Sequence, residues 1–405
     1  MKLSAHRIPP IAASAALWAW CAVLNYAMIT EVVDYSQTEY SFTASSSALI
    51  TQAIGLVLYV TTMFLAYPGR FASTIGGLSL TQVAIFLIIY LSFGLQFHGD
   101  ELAVLSGIFY TSLLMVTALS ISILWTLDPS DFERCMTIAS VVLCSFGVLA
   151  IAIHGWPDGR NVGSIQPNGF ATPLIAGFVL SQFGSGWTGI VVRVLCISMV
   201  ALVDSRFAIF GCVTAIVAYG LTYRPWAPAK VPALIITLIV GMVFWPHIVG
   251  LLALDDSARG LSSGFSGRDD RWNLALESIT SHPLGIGFKR AIGDEAGHNG
   301  FLKTVLEFGI PGGALIIFCI AGNLAMAGLD AISFSGKTQS QHRFECARFG
   351  GLAGLLFGAF FQPQIFSLGD AFAIAFLLLL FKPRTKSIPA GKPLMRTAQA
   401  PAQLQ

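Results

Sequence analysis

The sequence predicts an all-α polytopic integral membrane protein with about twelve transmembrane helices, ten or eleven being the alternative. Three observations predict this fold class. Of the 405 residues, 55% are hydrophobic. Only 11% are charged, whereas a soluble globular domain carries about 25%. Apolar runs of about twenty residues recur along the chain, and each can cross a ~30 Å hydrocarbon core as a helix. The lipid bilayer is therefore the first predicted partner.

The predicted spans define a transmembrane domain over residues 1–382. They cover residues 8–28, 46–67, 76–96, 102–126, 135–155, 169–185, 188–204, 206–222, 231–253, 302–327, 349–366 and 369–382. The sixth to eighth spans are crowded and the last is short, which keeps the lower counts open. Residues 383–405 are rich in Pro, Ala and Lys and are predicted to form a disordered cytoplasmic tail.

The distribution of lysine and arginine predicts a cytoplasmic N-terminus, because most of the 23 basic residues then fall on the inner side. The predicted outer cations are Arg160, Arg206, Arg259, Arg268, Arg271, Lys289, Arg290 and Lys303. They concentrate around one larger outer-side loop, residues 254–300. The net charge of +2 indicates no particular partner, and we expect no nucleic acid, no metal and no cofactor.

The outer loop is predicted to contain a short amphipathic helix. Trp272, Ala275 and Ile279 recur at helical spacing, and Pro283 ends the pattern. Ser266, followed three residues later by an acidic residue, resembles a capping box at the helix start. A helix lying at the membrane surface, with Trp272 as an interfacial anchor, explains the apolar stripe. It does not explain the arginines that flank it.

Four polar signals stand out on the predicted outer side, and each has an ordinary alternative. Arg160 lies in a Gly/Pro/Asn loop that a surface turn could explain. Arg206 could form a structural pair with Asp204. Arg268 could be a solvated loop charge, and His298 an interfacial histidine. Taken together, however, they come from four separate segments and converge on one membrane face.

That convergence indicates a particular chemistry. The planar guanidinium of arginine suits phosphate oxygens and stays charged. A histidine whose ordinary pKa is about 6.5 can accept or orient a proton near neutral pH. The residues therefore predict binding of a phosphate-bearing, membrane-embedded donor and activation of a hydroxyl acceptor.

The helix that follows His298 is also unusual. "FLKTVLEFGIPGG" has an ordinary apolar face, and its Ile-Pro-Gly-Gly end predicts a break or close helix packing. Lys303 can reach the interface with its ammonium group. Glu307 lies deeper, where ionisable residues usually face a partner or a cavity. The sequence assigns it no role.

Four ordered motifs make the sequence resemble the O-antigen ligase and O-antigen polymerase superfamily. They are "GRNVGSIQPNGFA", "DSRFA", "SGRDDRWNLALESITSHPLGIGF" and "GHNGFLKTVLEFGIPGG". The matching residues are Arg160, Gly163, Pro167, Asn168, Ser205, Arg206, Gly267, Arg268, Trp272, Pro283, Gly285, Gly287, His298, Asn299, Leu302, Gly309 and Gly312. The resemblance covers roughly residues 156–320.

The resemblance implies a GT-C-like, metal-independent, inverting glycosyltransferase in the bacterial inner membrane, with its active site facing the periplasm. The donor would be an undecaprenyl-pyrophosphate-linked glycan. Arg206 and Arg268 would hold the pyrophosphate, and His298 would activate the acceptor hydroxyl. The remaining predicted substrate-binding residues are Arg160, Asn168, Arg271, Lys289, Arg290 and Asn299.

The motifs leave the acceptor open. A ligase would transfer the glycan to lipid A–core, whereas a polymerase, including an exopolysaccharide polymerase, would transfer it to a lipid-linked repeat unit. Two other classes compete with a transferase: a transporter or flippase of a lipid-linked or anionic substrate, and a non-catalytic assembly subunit. Transporters usually place charged sites near the midplane within repeated halves. The sequence shows neither feature.

Overall fold

A computed structural model of the chain describes residues 57, 60–61, 63–65, 74, 80–96, 101–163, 165–223, 242, 246, 249, 264–288, 298–334, 336–362, 365–366 and 370–383. The helices in this part are α1 (Leu80–Gln96), α2 (Glu101–Leu124), α3 (Pro129–His154), α4 (Pro167–Ser181), α5 (Trp187–Leu202), α6 (Arg206–Thr222), α7 (Gly264–Ser281), α8 (Gly300–Ile332), α9 (Gln339–Ala359) and α10 (Ala371–Leu380). Isolated bridges join Asp158 to Asn161 and Val162 to Ile165. Among the described residues, strand pairing does not extend beyond these two isolated bridges.

The centre of the bundle is formed by α4 and α10. Every residue of α10 is buried, as is all of α4 from Phe170 onward. Helices that are apolar on every side need neighbours on every side. By contrast, α5 exposes large apolar side chains on its outer surface, among them Trp187 and Val194. Apolar exposure of this kind suits a surface that faces lipid.

Helices α6 and α9 pack closely and run antiparallel. A Cβ on Gly354 would lie 2.5 Å from the Gly211 carbonyl oxygen, and one on Gly350 would lie 2.7 Å from that of Ala215. Small residues at a helix interface let two backbones approach in this way. The start of α6 is therefore held against the end of α9.

The predicted spans correspond to helices wherever the structure describes them. By length and composition, α3 and α8 can cross a membrane, and shorter apolar helices include α5, α6 and α10. The predicted spans 8–28 and 231–253 lie outside the described residues, as does most of 46–67. The count of twelve and the GT-C-like architecture stay predictions, as do the proposed domain boundaries.

The prediction for residues 349–366 is wrong at both ends, because α9 runs from Gln339 to Ala359. A capping box begins the helix, in which Thr338 and Gln341 bond reciprocally. Hydropathy overlooks its charged first turns. Those charges are neutralised by partners on other elements, with Arg343 bonding Glu133 at 2.8 Å.

The sequence predicts a break or close helix packing at residues 310–313, and the structure has a break one residue earlier, at Gly309, whose φ of 73° and ψ of 170° are not helical. A Cβ on Gly313 would lie 2.5 Å from the Cα of Val305. In a straight helix these two residues would be separated by about 12 Å along the axis. The chain thus folds back sharply at Gly309, so that residues 300–308 and 310–332 pack against each other.

The segment 282–288, which we call the strap, completes the hydrogen bonding at this break. Ile286 donates its backbone N–H to the Leu306 carbonyl at 2.9 Å, and Gly287 donates to the Glu307 carbonyl at 3.2 Å. The Ile310 N–H, which would have bonded Leu306 in a continuous helix, donates to the Pro283 carbonyl at 2.8 Å instead. The strap therefore satisfies backbone groups that the break would leave unpaired.

Gly309 is required by this arrangement. A Cβ at this position would lie 2.4 Å from the Leu284 carbonyl carbon, and a left-handed φ also disfavours larger residues. The Phe288 ring anchors the end of the strap between Tyr110 of α2, at 4.9 Å, and Phe308 of α8, at 5.0 Å between ring centroids.

The predicted amphipathic helix is observed as α7. Ala275 and Ile279 are buried, and Ile279 packs against Leu306 in the first half of α8. Trp272 is half-buried. The predicted capping box is wrong, because Ser266 lies inside a helix that already includes Gly264. The apolar stripe of α7 thus packs on the protein, specifically on the helix that follows His298.

Candidate functional site

One end of the bundle collects the starts of several helices, and we call it the site end. Ser205, before α6, donates its hydroxyl to Asn168 Oδ1 near the start of α4 at 3.2 Å. Phe301, at the start of α8, contacts Phe360 after α9 with ring centroids 4.7 Å apart. Gly358, near the end of α9, lies against Phe207. Segments far apart in sequence thus meet at the site end.

Arg160 is held at the site end by Asp204. The Arg160 Nη2 group donates to the Asp204 carbonyl at 2.5 Å, and its Nε lies 3.4 Å from Asp204 Oδ2. The sequence alternative pairs Asp204 with Arg206, and the structure shows that its carboxylate also lies beside Arg160. The side chain of Arg160 remains 35% exposed, so it can still contact a ligand.

The loop that carries Arg160 folds onto the end of α3. Its bridges pair residues 158 with 161 and 162 with 165. Gly163 adopts a φ of 60°, and a Cβ there would lie 2.8 Å from the His154 ring. Only glycine fits both constraints easily. The Gly163 of the sequence motif therefore lets this loop close over α3.

Arg206 begins α6 and is half-buried. Ser205 is fully buried at the N-cap position, but its side chain makes no cap hydrogen bond and bonds Asn168 instead. The positive end of the helix dipole and the Arg206 guanidinium thus lie at the same place. Such a combination favours binding of an anion. The amide oxygen of Asn168, a predicted substrate-binding residue, already accepts a hydrogen bond from Ser205.

His298 and Asn299 precede α8 at the site end. Asn299 is buried and caps the helix, with its Oδ1 accepting from the N–H groups of Phe301 at 2.9 Å and Leu302 at 3.1 Å. Its oxygen is therefore committed to the helix start, which fixes the position of the preceding residue. His298 is half-buried and keeps an exposed portion.

Backbone strain is concentrated at these positions. Within the described part of the chain, the non-glycine residues with positive φ are Asp204, at 46°, and His298, at 45°. Left-handed backbone at such residues is uncommon and costs energy that the surrounding structure must supply. Each of the two directly precedes the N-cap residue of a helix, Asp204 before α6 and His298 before α8.

The other predicted basic residues of the site lie either on α7 or outside the described residues. Arg268 and Arg271 lie on α7, where Arg271 is half-buried; the description includes the backbone of Arg268 but not its side chain. Lys289 and Arg290 lie outside the described residues. The structure therefore brings together Arg160, Asn168 and the start of α6, and it places His298 at the same end.

Glu307, which the sequence left without a role, has a partner. Its carboxylate lies 3.7 Å from the Lys303 ammonium one helical turn earlier, and its side chain is 4% exposed. The ammonium group of Lys303 thus forms an ion pair within the protein, in addition to the predicted position at the membrane interface. The pair stabilises the short first half of α8, which the break at Gly309 separates from the rest.

Sequence reasoning missed one residue at the site end. Gln362 follows α9 and is 5% exposed. Its carbonyl oxygen would lie 3.0 Å from a Cβ on Gly300, so it packs against the start of α8. The prediction had included it in the apolar span 349–366. The signal that could have found it is the polar Gln-Pro-Gln triplet, which interrupts that span.

The described residues form a bundle of largely apolar helices, and Arg160, Asn168, Arg206 and His298 lie at its site end. Residues 191–317 match the O-antigen ligase family. The predicted resemblance to the O-antigen ligase and polymerase superfamily is thereby confirmed, and the matched family supports a membrane enzyme that transfers glycans. No curated protein matches the chain. The matched segment contains Arg206, Arg268 and His298, whereas Arg160 and Asn168 precede it.

Proposed function

We propose that the protein transfers a glycan from an undecaprenyl-pyrophosphate donor to a hydroxyl acceptor at the periplasmic face of the bacterial inner membrane. The observation that carries the proposal is the placement of Arg206 and His298. Both belong to the segment that matches the O-antigen ligase family, and both lie at helix starts at the site end. The acceptor is lipid A–core for a ligase, or a lipid-linked repeat unit for a polymerase.

In this proposal the anion-binding groups act on the leaving group. The bond between the anomeric carbon and the pyrophosphate oxygen breaks, and the lipid pyrophosphate departs with the electron pair. Arg206, at the positive end of α6, stabilises the developing negative charge, and Arg268 does the same from α7. Arg160, Arg271, Lys289 and Arg290 contribute to binding the charged donor.

The acceptor hydroxyl attacks the anomeric carbon from the opposite face, which inverts the configuration. His298 takes the hydroxyl proton as the new carbon–oxygen bond forms. The Asn299 cap and the strained backbone hold His298 at one place relative to α8. Proton transfer to a positioned histidine typically contributes a factor of roughly 10² to 10⁴ in rate. The proposed chemistry requires no metal.

The discontinuous α8 bears on the transporter alternative, because broken helices often form ion or substrate sites in transporters. There the unwound backbone exposes carbonyl groups to the ligand. Here the carbonyls of Leu306 and Glu307 accept hydrogen bonds from the strap. The break is therefore closed by the protein itself, which favours a positioning role for it over a transport site.

The direct test is a transfer assay with purified protein in nanodiscs that contain a lipid-pyrophosphate oligosaccharide donor, with EDTA present. Lipid A–core and a second donor molecule are supplied as acceptors in separate reactions. Wild type is compared with His298→Ala and Arg268→Ala. Matched controls are His282→Ala, an exposed histidine of the strap, and Arg193→Ala on α5.

We expect the wild type to be active in EDTA, both site variants to lose transfer, and both controls to retain it. Product on lipid A–core identifies a ligase, and lengthened lipid-linked glycan identifies a polymerase. Activity retained by His298→Ala would refute the proposed proton transfer. Movement of the donor across the bilayer by a variant lacking both His298 and Arg268 would favour the transporter.

A further inference from the structure

We infer that Gln362 binds a hydroxyl group of the acceptor sugar and thereby positions the acceptor for His298. The inference rests on the proposed function and adds a specificity-determining residue to it. Gln362 lies outside the segment that matches the family. It belongs to the turn after α9, so neither the motifs nor the predicted spans identify it.

The position of Gln362 follows from its own contact and from the helix that precedes it. Its carbonyl oxygen would lie 3.0 Å from a Cβ on Gly300, two residues after His298. Four residues earlier, Gly358 of α9 lies against Phe207 at the start of α6. Gln362 therefore lies beside the start of α8, in the turn that follows a helix packed against the start of α6.

The hydrogen bonding of Gln362 is incomplete. Its Nε2 atom is buried, and no described residue provides it with a hydrogen-bond partner. A buried amide without a partner costs free energy, so it calls for an explanation such as a bound ligand. Two buried polar side chains at the site end are satisfied within the protein: Ser205 bonds Asn168, and Asn299 caps α8.

The chemistry of an amide favours a sugar hydroxyl over a phosphate. The buried Nε2 group is a donor and needs an acceptor, which the oxygen of a neutral hydroxyl provides. Phosphate oxygens also accept, but the arginines of the site offer charged, planar donors that suit them better than a neutral amide. The proximity of Gln362 to the start of α8 assigns the hydroxyl to the acceptor, which His298 must also contact.

A second buried glutamine provides the matched control. Gln182, at the end of α4, is 3% exposed, and its Oε1 is also without a hydrogen-bond partner in the described structure. It lies against Gly350 of α9, away from the starts of α6 and α8. A purely structural role for buried glutamines predicts similar behaviour at the two positions.

The experiment compares Gln362→Leu, Gln362→Met and Gln182→Leu with wild type in the transfer assay. The acceptor is titrated at saturating donor, and the donor at saturating acceptor. The acceptor probe is lipid A–core; for polymerase activity it is a repeat-unit oligosaccharide on a lipid without pyrophosphate, which can only accept. The thermal unfolding temperature of each variant is measured without substrates.

We expect both Gln362 variants to raise the acceptor KM about five- to tenfold, the effect of losing one neutral hydrogen bond. The donor KM should stay within twofold. Their unfolding temperature should be unchanged or higher, because an unsatisfied buried amide has been removed. Gln182→Leu should leave both KM values unchanged.

An active wild type with an unchanged acceptor KM in both Gln362 variants would overturn this inference alone. So would a loss of unfolding temperature without a change in KM. A wild type that transfers to none of the acceptors would overturn the proposed function, and this inference with it.

Discussion

The two ends of the bundle use polar residues in different ways. At the far end, opposite the site end, charged side chains pair across helices. Glu133 on α3 bonds Arg343 on α9 at 2.8 Å, and Lys382, after α10, bonds Glu345 on α9. Below them, the buried Arg348 donates to the Leu379 carbonyl at 2.8 Å. These contacts tie helices to one another.

At the site end, by contrast, the polar groups lie at helix starts and in connecting segments. The ion pair of Arg160 and Asp204 joins two loops. The backbone of Asp204 and of His298 is left-handed. Strain of this kind persists only where the surrounding structure maintains it, and it is often found at functional sites. Charge at the far end therefore joins helices to one another, whereas charge at the site end lies where the proposed function requires a ligand.

The largest effect on activity is expected from Arg206→Ala. Removing one preorganised donor that stabilises a developing oxyanion typically costs roughly 10² to 10³ in kcat. A fall in the unfolding temperature would report the contacts that Arg206 makes within the protein. Transfer kinetics and thermal unfolding of the same preparation measure both quantities. A kcat within threefold of wild type would contradict a catalytic role and would mean that Arg206 has a structural role, like the arginines at the far end.

The largest effect on stability is expected from Arg348→Ala. The change removes the hydrogen bond to Leu379 and the ion pair with Asp330 at 3.8 Å. It leaves a buried carbonyl unsatisfied, at a cost of about 1–3 kcal/mol in the free energy of unfolding. The kcat of the folded fraction should remain that of wild type. A loss of kcat with an unchanged unfolding temperature would contradict the expectation that charged residues at the far end affect stability only.

The sequence predicts a structural element correctly when the residues that determine it are neighbours in the chain, and it fails when they lie far apart. The span 206–222 coincides with α6, because Ser-Arg marks its start and the apolar run is continuous. The break at Gly309 was predictable from the Gly/Pro pattern. The start of α9 was not, since hydropathy counts Arg343 and Glu345 as unfavourable and cannot see their partners on other elements.

The same limit applies to the candidate site. The motifs supplied the candidate residues, and the structure places Arg206 and His298 at one end. They could not predict that Asp204 pairs with Arg160, because that contact joins segments far apart in the chain. Nor could they predict the strap, whose N–H groups complete the broken α8 through long-range backbone bonds. The span prediction missed Gln362 because the short Gln-Pro-Gln triplet barely changes the mean hydropathy of a long window.

A smaller effect is expected from changing the strained Asp204. At a φ of 46°, asparagine is tolerated, whereas a β-branched residue is a strong outlier. Asp204→Val should therefore lower the free energy of unfolding by about 2 kcal/mol more than Asp204→Asn. Both variants weaken the pair with Arg160, so donor binding should fall a few-fold in each. Equal stabilities for the two variants, measured by thermal unfolding, would show that the left-handed backbone stores no strain here.

The smallest effect is expected from Glu133→Gln at the far end. The Glu133 carboxylate accepts from the Ser185 backbone N–H at 2.7 Å and from its hydroxyl at 2.6 Å, besides pairing with Arg343. A glutamine oxygen can still accept from Ser185, so only the charge is lost. The Glu133 side chain is 24% exposed, and solvent screening limits such a pair to about 0.5–1 kcal/mol. Transfer should be unchanged, and the small loss of stability should shrink further in high salt. A large loss of transfer in this variant would mean that the two ends are coupled, because Glu133 lies at the far end, where we expect charged residues to affect stability only.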